Sequence, residues 1–210
     1  MWKETDPPIE TLFPERKGSK TLCGIFGGSF NPIHNGHVAL AKEILRKVGL
    51  DEVWFLVSPQ NPLKPQGTLL DGDLRLEMVR LALSDEPQLV ASDYEFGLPR
   101  PSYTYDTLRQ LSADYPQHRF VLLIGADNWH LFGEWRNGSD ILANYPIVIY
   151  PREGYAINAL SLPPAVRLVD TPLYNISSTA LRHMIAEGKD ISRHVPSQVA
   201  TFIVQNHLYR

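Results

Sequence analysis

Five short runs of continuous apolar residues punctuate the chain: LCGIF at 22–26, VWFLV at 53–57, FVLLI at 120–124, IVIY at 147–150 and VRLV at 166–169. A strand buried on both faces has no polar side, so it reads as a continuous apolar run, and such strands belong to parallel sheets covered by helices. The stretches between the runs supply those helices. Ala41, Ile44, Leu45 and Val48 recur at helical spacing, with Gly49 placed to end the helix. Leu74, Met78, Leu81 and Ala82 mark a second helix after Asp71, and residues 105–113 a third. Leu181, Met184 and Ile185 before Gly188 mark a fourth, and Pro196 opens a fifth carrying Val199, Phe202 and Ile203. The pattern predicts an α/β fold: a doubly wound, mostly parallel sheet with helices on both faces and right-handed crossovers.

A length of 210 residues suits a single domain, expected over 21–210. Residues 1–20 are charged, carry Pro7, Pro8 and Pro14 and show no periodicity, so they read as a loose extension. Twenty basic against 23 acidic side chains leave a net charge of -3. That supplies no field to hold a nucleic-acid duplex or an anionic membrane, so neither partner is expected and any phosphate binding has to be local. The sole cysteine, Cys23, excludes an internal disulfide and a cysteine zinc cage. The opening residues lack the apolar core of a signal peptide, and no window approaches the length of a membrane span, so a cytoplasmic location is expected. A homo-oligomer is compatible with all of this.

The turn after the first strand carries the chemistry. It reads Gly27-Gly28-Ser29-Phe30-Asn31-Pro32-Ile33-His34-Asn35-Gly36-His37 and runs into the first helix. In open parallel sheets ligands bind beyond the carboxyl ends of the strands, where a glycine-rich turn feeds a helix whose free N–H groups attract anions. Adjacent glycines let a phosphate approach the backbone, Gly36 allows close contact at the helix start, and two imidazoles can donate to phosphoryl oxygens. The spacing fits neither a P-loop nor a dinucleotide fingerprint. Ser29 is outside a serine-hydrolase elbow, and no cysteine cluster completes a metal site with His34 and His37.

GGSFNPIHNGH resembles the first signature of the nucleotidyltransferase superfamily, H-x-G-H. About 140 residues later, Ile176-Ser177-Ser178-Thr179-Ala180-Leu181-Arg182 resembles its second signature, I-S-S-T-x-x-R. Pro62-Leu63-Lys64, the segment from Pro101 to Leu108, Gly125-Ala126-Asp127, Trp135 and the closing run from Gln205 to Arg210 are similar to the nicotinate-nucleotide adenylyltransferase family. The resemblance implies a Rossmann-like fold and transfer of the adenylyl group of ATP to nicotinate mononucleotide, giving nicotinate adenine dinucleotide and pyrophosphate in NAD biosynthesis.

By that resemblance His34, His37, Lys64 and Arg182 are the catalytic residues, with His37 at the α-phosphate. Gly27, Gly28, Ser29, Gly36, Gly125, Asp127, Ser177, Ser178 and Thr179 would bind ATP, with Asp127 on the ribose or capping a helix. Tyr103, Thr104, Trp135 and Arg152 would bind nicotinate mononucleotide, Trp135 by stacking on the pyridine ring. Mg²⁺ would be carried by the phosphates, without a protein ligand. Ser29 stands where Thr is commoner in the family, and Arg136 where Tyr is frequent; a cation there favours the carboxylate of nicotinate over a neutral amide. Two classes compete with this reading: an adenylyltransferase acting on nicotinamide mononucleotide or phosphopantetheine, and a catalytically silent nucleotide sensor that keeps the fold.

Overall fold

The structure, a computed structural model, describes residues 20–59 and 69–210. Residues 1–19 of the extension read over 1–20, and Lys64, lie outside the described residues. Strands β1 (Thr21–Gly28), β2 (Glu52–Val57), β3 (Leu89–Ser92), β4 (His118–Gly125), β5 (Ile147–Tyr150) and β6 (Val166–Leu168) alternate with helices. These are α1 (Asn35–Val48), α2 (Gly72–Ala82), α3 (Thr104–Asp114), α4 (Ala126–His130), α5 (Gly138–Asn144), α6 (Ser178–Ala186) and α7 (Ser197–Gln205). The six strands form one sheet in the order β3-β2-β1-β4-β5-β6. β1 runs parallel to β4, β4 to β5 and β5 to β6, with Cys23 opposite Phe120 and Leu122 opposite Ile147. This is the expected Rossmann-like architecture.

All five expected strands and five expected helices form, with ends shifted by a few residues. Gly49 and Gly188 follow α1 and α6 at φ +70° and +71°, the left-handed conformation that ends a helix most easily without a side chain. Three elements have no counterpart in the sequence reading. β3, LVAS, is buried only at Leu89 and lacks the continuous apolar run that marks the other strands, and α4 with 5 residues and α5 with 7 are too short for a period to register. One face is also rotated. The buried residues of α2 are Arg75, Leu76, Met78, Val79 and Ala82 rather than the stripe through Leu74 and Leu81.

The chain clusters into two compact units, with β1, β2 and α1 passing from one to the other. The first unit comprises 20–26, Glu43–Trp54 and Tyr103–Leu173 of the described residues. Its core is built from Ile25 and Phe26, Ile44 and Val48, Leu108 and Leu111, Phe120 to Ile124, Ile141 and Ile147 to Tyr150, all buried. Cys23 is buried here too, its thiol pKa pushed up by desolvation and by Glu52, which suits an inert packing role. The second unit comprises Gly27–Lys42, Tyr174–Arg210 and the described residues of Phe55–Ser102. Phe30, Ile33, Phe55, Val57, Met78, Val79, Leu181, Val199 and Ile203 fill its core, and α2 packs on α7. No helix among the described residues is long and apolar enough to cross a membrane.

Candidate active site

In the second unit, the turn after β1 is buried although it has no regular structure: Asn31 is 3% exposed, Ile33 0% and His34 5%. Buried carbonyls need donors, and side chains remote in sequence provide them. Arg182 donates to the Asn31 carbonyl at 2.8 Å, the Ser178 hydroxyl to the Pro32 carbonyl at 2.8 Å, and Arg75 to the Ser29 carbonyl at 2.7 Å. The Tyr209 hydroxyl donates to the Asn31 side-chain oxygen at 2.8 Å, and burial raises its pKa, which keeps it a protonated donor.

The two histidines form a reciprocal pair. α1 begins at Asn35, so His34 caps it and His37 is its third residue. The His34 N–H donates to Nδ1 of His37 at 3.2 Å, and the His37 N–H donates to the His34 carbonyl at 2.9 Å. The His37 imidazole thus takes the place that Glu or Gln holds in a capping box, while the return bond goes to the His34 carbonyl and not to its side chain. An accepting Nδ1 carries no hydrogen, so the ring proton of His37 sits on Nε2, where it can be donated. The rings stack at 3.6 Å between centroids, and Phe30, at φ +43°, meets His37 edge-on at 5.2 Å.

At the second signature, Ser177 is the cap of α6, its side chain accepting from the Ala180 N–H at 3.1 Å. The Ser178 hydroxyl gives its hydrogen to Pro32, and Thr179 Oγ1 accepts from Arg182 at 3.2 Å. The Ser178 hydroxyl therefore ties α6 to the turn, whereas Ser177 and Thr179 accept and keep their own O–H to donate; of the first-turn N–H groups of α1 and α6, those of Asn35, His37 and Ala180 are bonded to His194, His34 and Ser177. Neither helix has an acidic residue in its first turn, whereas α2 has Asp73 and α3 has Asp106. Both N-termini thus keep their positive dipole ends uncompensated.

The glycines divide by what surrounds them. A Cβ on Gly27 would meet nothing within 4 Å. On Gly28 it would lie 2.8 Å from the Phe30 ring, and on Gly36 it would lie 2.8 Å from Ile176 and 3.1 Å from Tyr174. Gly28 and Gly36 thus serve internal packing, and Gly27 borders open space.

Two further groups stand in the first unit. β4 ends at Gly125, which is the cap of α4, so Asp127 lies inside the first turn and not at the cap. Asp127 Oδ1 is buried and makes no hydrogen bond among the described residues; it faces Arg152 Nε at 3.6 Å. A Cβ on Gly125 would collide with that carboxylate and approach Arg152 Nε to 3.0 Å, so the close approach requires glycine. Arg152 lies over the buried Tyr150 ring at 5.2 Å, and burial raises the Tyr150 pKa. The other group is at the start of α3, where Tyr103 precedes the helix and Thr104 is its first residue. Arg136 lies 4.5 Å from the Tyr103 ring centroid and 3.7 Å from Asp106. Trp135, half-buried, tilts against Phe132 at 5.2 Å. Among the described residues no three His, Cys, Asp or Glu side chains are grouped to hold a metal ion.

Sequence reasoning missed Arg75 and Tyr209 as supports of the turn. A signal for Arg75 exists: residues 75, 78, 79 and 82 recur at helical spacing once an arginine is admitted to the apolar stripe. Tyr209 offers no such signal, because its partner Asn31 is 178 positions away.

These contacts separate two glycine substitutions. Gly27→Ala is expected to leave stability within about 1 kcal/mol while weakening ATP binding. Gly36→Ala is expected to lose more than about 1 kcal/mol through overpacking against Ile176 and Tyr174. Urea melts with ATP titration by calorimetry check both; unchanged ATP affinity in Gly27→Ala would remove the phosphate from that opening.

Comparison with known proteins supplies the lineage. The cytidylyltransferase-like family model matches residues 25–184. A Bacteroides fragilis protein named "Probable nicotinate-nucleotide adenylyltransferase" is 47% identical over 187 residues, 89% of this chain and 93% of its own. A Cytophaga hutchinsonii protein of the same name is 44% identical over 186 residues, 89% of this chain and 97% of its own. Among solved structures, Plasmodium falciparum nicotinic acid mononucleotide adenylyltransferase complexed with NaAD matches with a TM-score of 0.76 at 20% identity, over 90% of this chain and 97% of that one. That last likeness concerns the fold. The chain therefore belongs to the cytidylyltransferase-like nucleotidyltransferases and, within them, to the nicotinate-nucleotide adenylyltransferase family.

Proposed function

We propose that the chain transfers the adenylyl group of ATP to nicotinate mononucleotide, releasing pyrophosphate and forming nicotinate adenine dinucleotide. The observation that carries this reading is the convergence of two uncompensated helix N-termini, the His37 Nε2–H and Arg182 on one turn. That is a set of donors without a protein nucleophile or base, which is what phosphoryl transfer between two phosphates requires.

In the reaction a phosphate oxygen of nicotinate mononucleotide attacks the α-phosphorus of ATP in line. The new P–O bond forms as the bond to the bridging oxygen of pyrophosphate breaks, and that oxygen leaves with the electron pair. The attacking oxygen is already anionic, so no group needs to take a proton from it. His37 donates from Nε2 to the α-phosphoryl oxygens, and His34 holds the ring in that tautomer. Arg182 serves the outer phosphates with guanidinium N–H groups beyond the two bonded to Asn31 and Thr179. Lys64 is assigned to the same anionic groups, and Ser29 to the ATP side of the turn. Magnesium, as the counterion of ATP, would be held by phosphates and water.

In the first unit the buried Asp127 Oδ1 is an acceptor suited to a ribose hydroxyl, with Arg152 beside it. Tyr103, Thr104 and Trp135 take the nicotinate half. Arg136, held over Tyr103, adds a cation next to the start of α3, which supports preference for nicotinate over nicotinamide.

Pyrophosphate release from MgATP with nicotinate mononucleotide, nicotinamide mononucleotide and phosphopantetheine in parallel tests the assignment. A strong preference for the first is expected. No release with any of them, from folded chain that still binds ATP, would convert the reading to a nucleotide sensor. His37→Ala is expected to lower turnover by orders of magnitude without unfolding; a loss under about tenfold, roughly 1.4 kcal/mol of barrier, would remove it from the α-phosphate. Trp135→Ala should weaken mononucleotide binding far more than ATP binding, and equal effects on both in calorimetry would end the stacking assignment.

A further inference from the structure

We infer that Arg75 is a positioning residue for this reaction: its buried guanidinium fixes the Ser29 end of the turn that aims His37.

The side chain is 0% exposed. Its Nε donates to the Leu70 carbonyl at 2.8 Å, Nη1 to the Ser29 and Ser58 carbonyls at 2.7 and 2.8 Å, and Nη2 to the Pro59 carbonyl at 3.2 Å. All four partners are backbone oxygens, with no carboxylate among them. Burying a cation on such terms is costly, and the desolvation shows in its lowered pKa. Holding α2 against the core does not need it: Met78, Val79 and Ala82 occupy the same stripe, and an apolar residue at 75 would continue it.

What an apolar residue would not do is join the ends of three segments. Ser29 follows β1, Ser58 and Pro59 follow β2, and Leu70 precedes α2. Only a planar fork with donors on three nitrogens reaches four carbonyls at once; a lysine ammonium has one nitrogen. Ser58 in turn donates its N–H to the Gly28 carbonyl at 2.9 Å, so the start of the turn is held from two directions. The next residue, Phe30, is at φ +43° and sets its ring edge against His37 at 5.2 Å. The path from guanidinium to imidazole is therefore short: Arg75 to the Ser29 carbonyl, Ser29 to Phe30, Phe30 to the His37 ring. This rests on the proposed role of His37 as the α-phosphate donor.

The test uses the full chain, with Arg75→Lys and Arg75→Gln. Near-UV circular dichroism and melting curves first establish that each variant is folded at the assay temperature. Turnover of the folded variants is expected to fall at least about tenfold while the KM for nicotinate mononucleotide changes less than about threefold. Combined with His37→Ala, Arg75→Lys should lower turnover by less than about threefold more, because two residues acting through one group are not additive. An independent readout needs no turnover. With ring-¹⁵N histidine, wild-type His37 should show one protonated and one accepting nitrogen, and the variants an averaged pair.

Wild-type turnover in a variant that merely melts earlier would make Arg75 a scaffold residue and overturn the inference. Full multiplication of the two effects, an unchanged His37 tautomer, or failure of both variants to fold even in the cold would do the same. If the wild-type chain itself releases no pyrophosphate, the proposed function fails while the nitrogen spectra still decide whether Arg75 sets the His37 ring.

Discussion

A turn without regular structure must find donors for its carbonyls, and in this chain the turn after β1 must do so while buried. Residues 29–32 lie outside the helices and strands, and three of their carbonyls receive side-chain donors: Arg75 on α2 for Ser29, Arg182 on α6 for Asn31 and Ser178 on α6 for Pro32. Each is charged or at a helix end, and each draws its element onto the turn. The placement of α2 and α6 is thus tied to satisfying one loop, since an orphaned buried carbonyl costs about 1–3 kcal/mol.

That constraint gives the second signature two physical tasks. Its hydroxyls serve the frame: Ser177 caps α6, Ser178 holds Pro32 and Thr179 steadies Arg182, with Ser177 and Thr179 as acceptors that keep a hydrogen to donate. The helix they cap then offers its first-turn N–H groups and a dipole uncompensated by acid. The segment expected from sequence to cap a helix and to bind phosphate through its hydroxyls and N–H groups is also the mounting of an arginine fork.

Much of this was legible from the residues. Continuous apolar runs fixed the strands because burial on both faces leaves no alternation, and the long helices carried their period and their stop signals at Gly49 and Gly188. The signature turn stood out as chemistry without a local structural reason for two histidines. What escaped detection was short, buried or nonlocal. α4 and α5 are shorter than two helical periods. Arg75 sits where side-chain type argues for solvent, and only its four carbonyls explain its burial. The capping role of His37 was hidden because Glu or Gln is the residue expected three positions into a helix.

The two units differ in how they treat charge, and the difference follows the ligand groups proposed for them. A triphosphate carries several negative charges, and donors serve it best when no carboxylate competes; near the turn after β1 two helix ends carry no acid in their first turns and, among the described residues, the Arg182 guanidinium is hydrogen-bonded to neutral oxygens. Ribose hydroxyls and a pyridine ring bring little net charge and need acceptors and flat surfaces. In the first unit Arg152 is paired with Asp127 at 3.6 Å, and Arg136, 3.7 Å from Asp106, is held over the Tyr103 ring. Gly125 makes the first of these pairs possible, since any side chain would displace the Asp127 carboxylate. On this reading Gly125, at the end of β4, makes room for a carboxylate of the chain itself, and Gly27, near the end of β1, for the proposed phosphate.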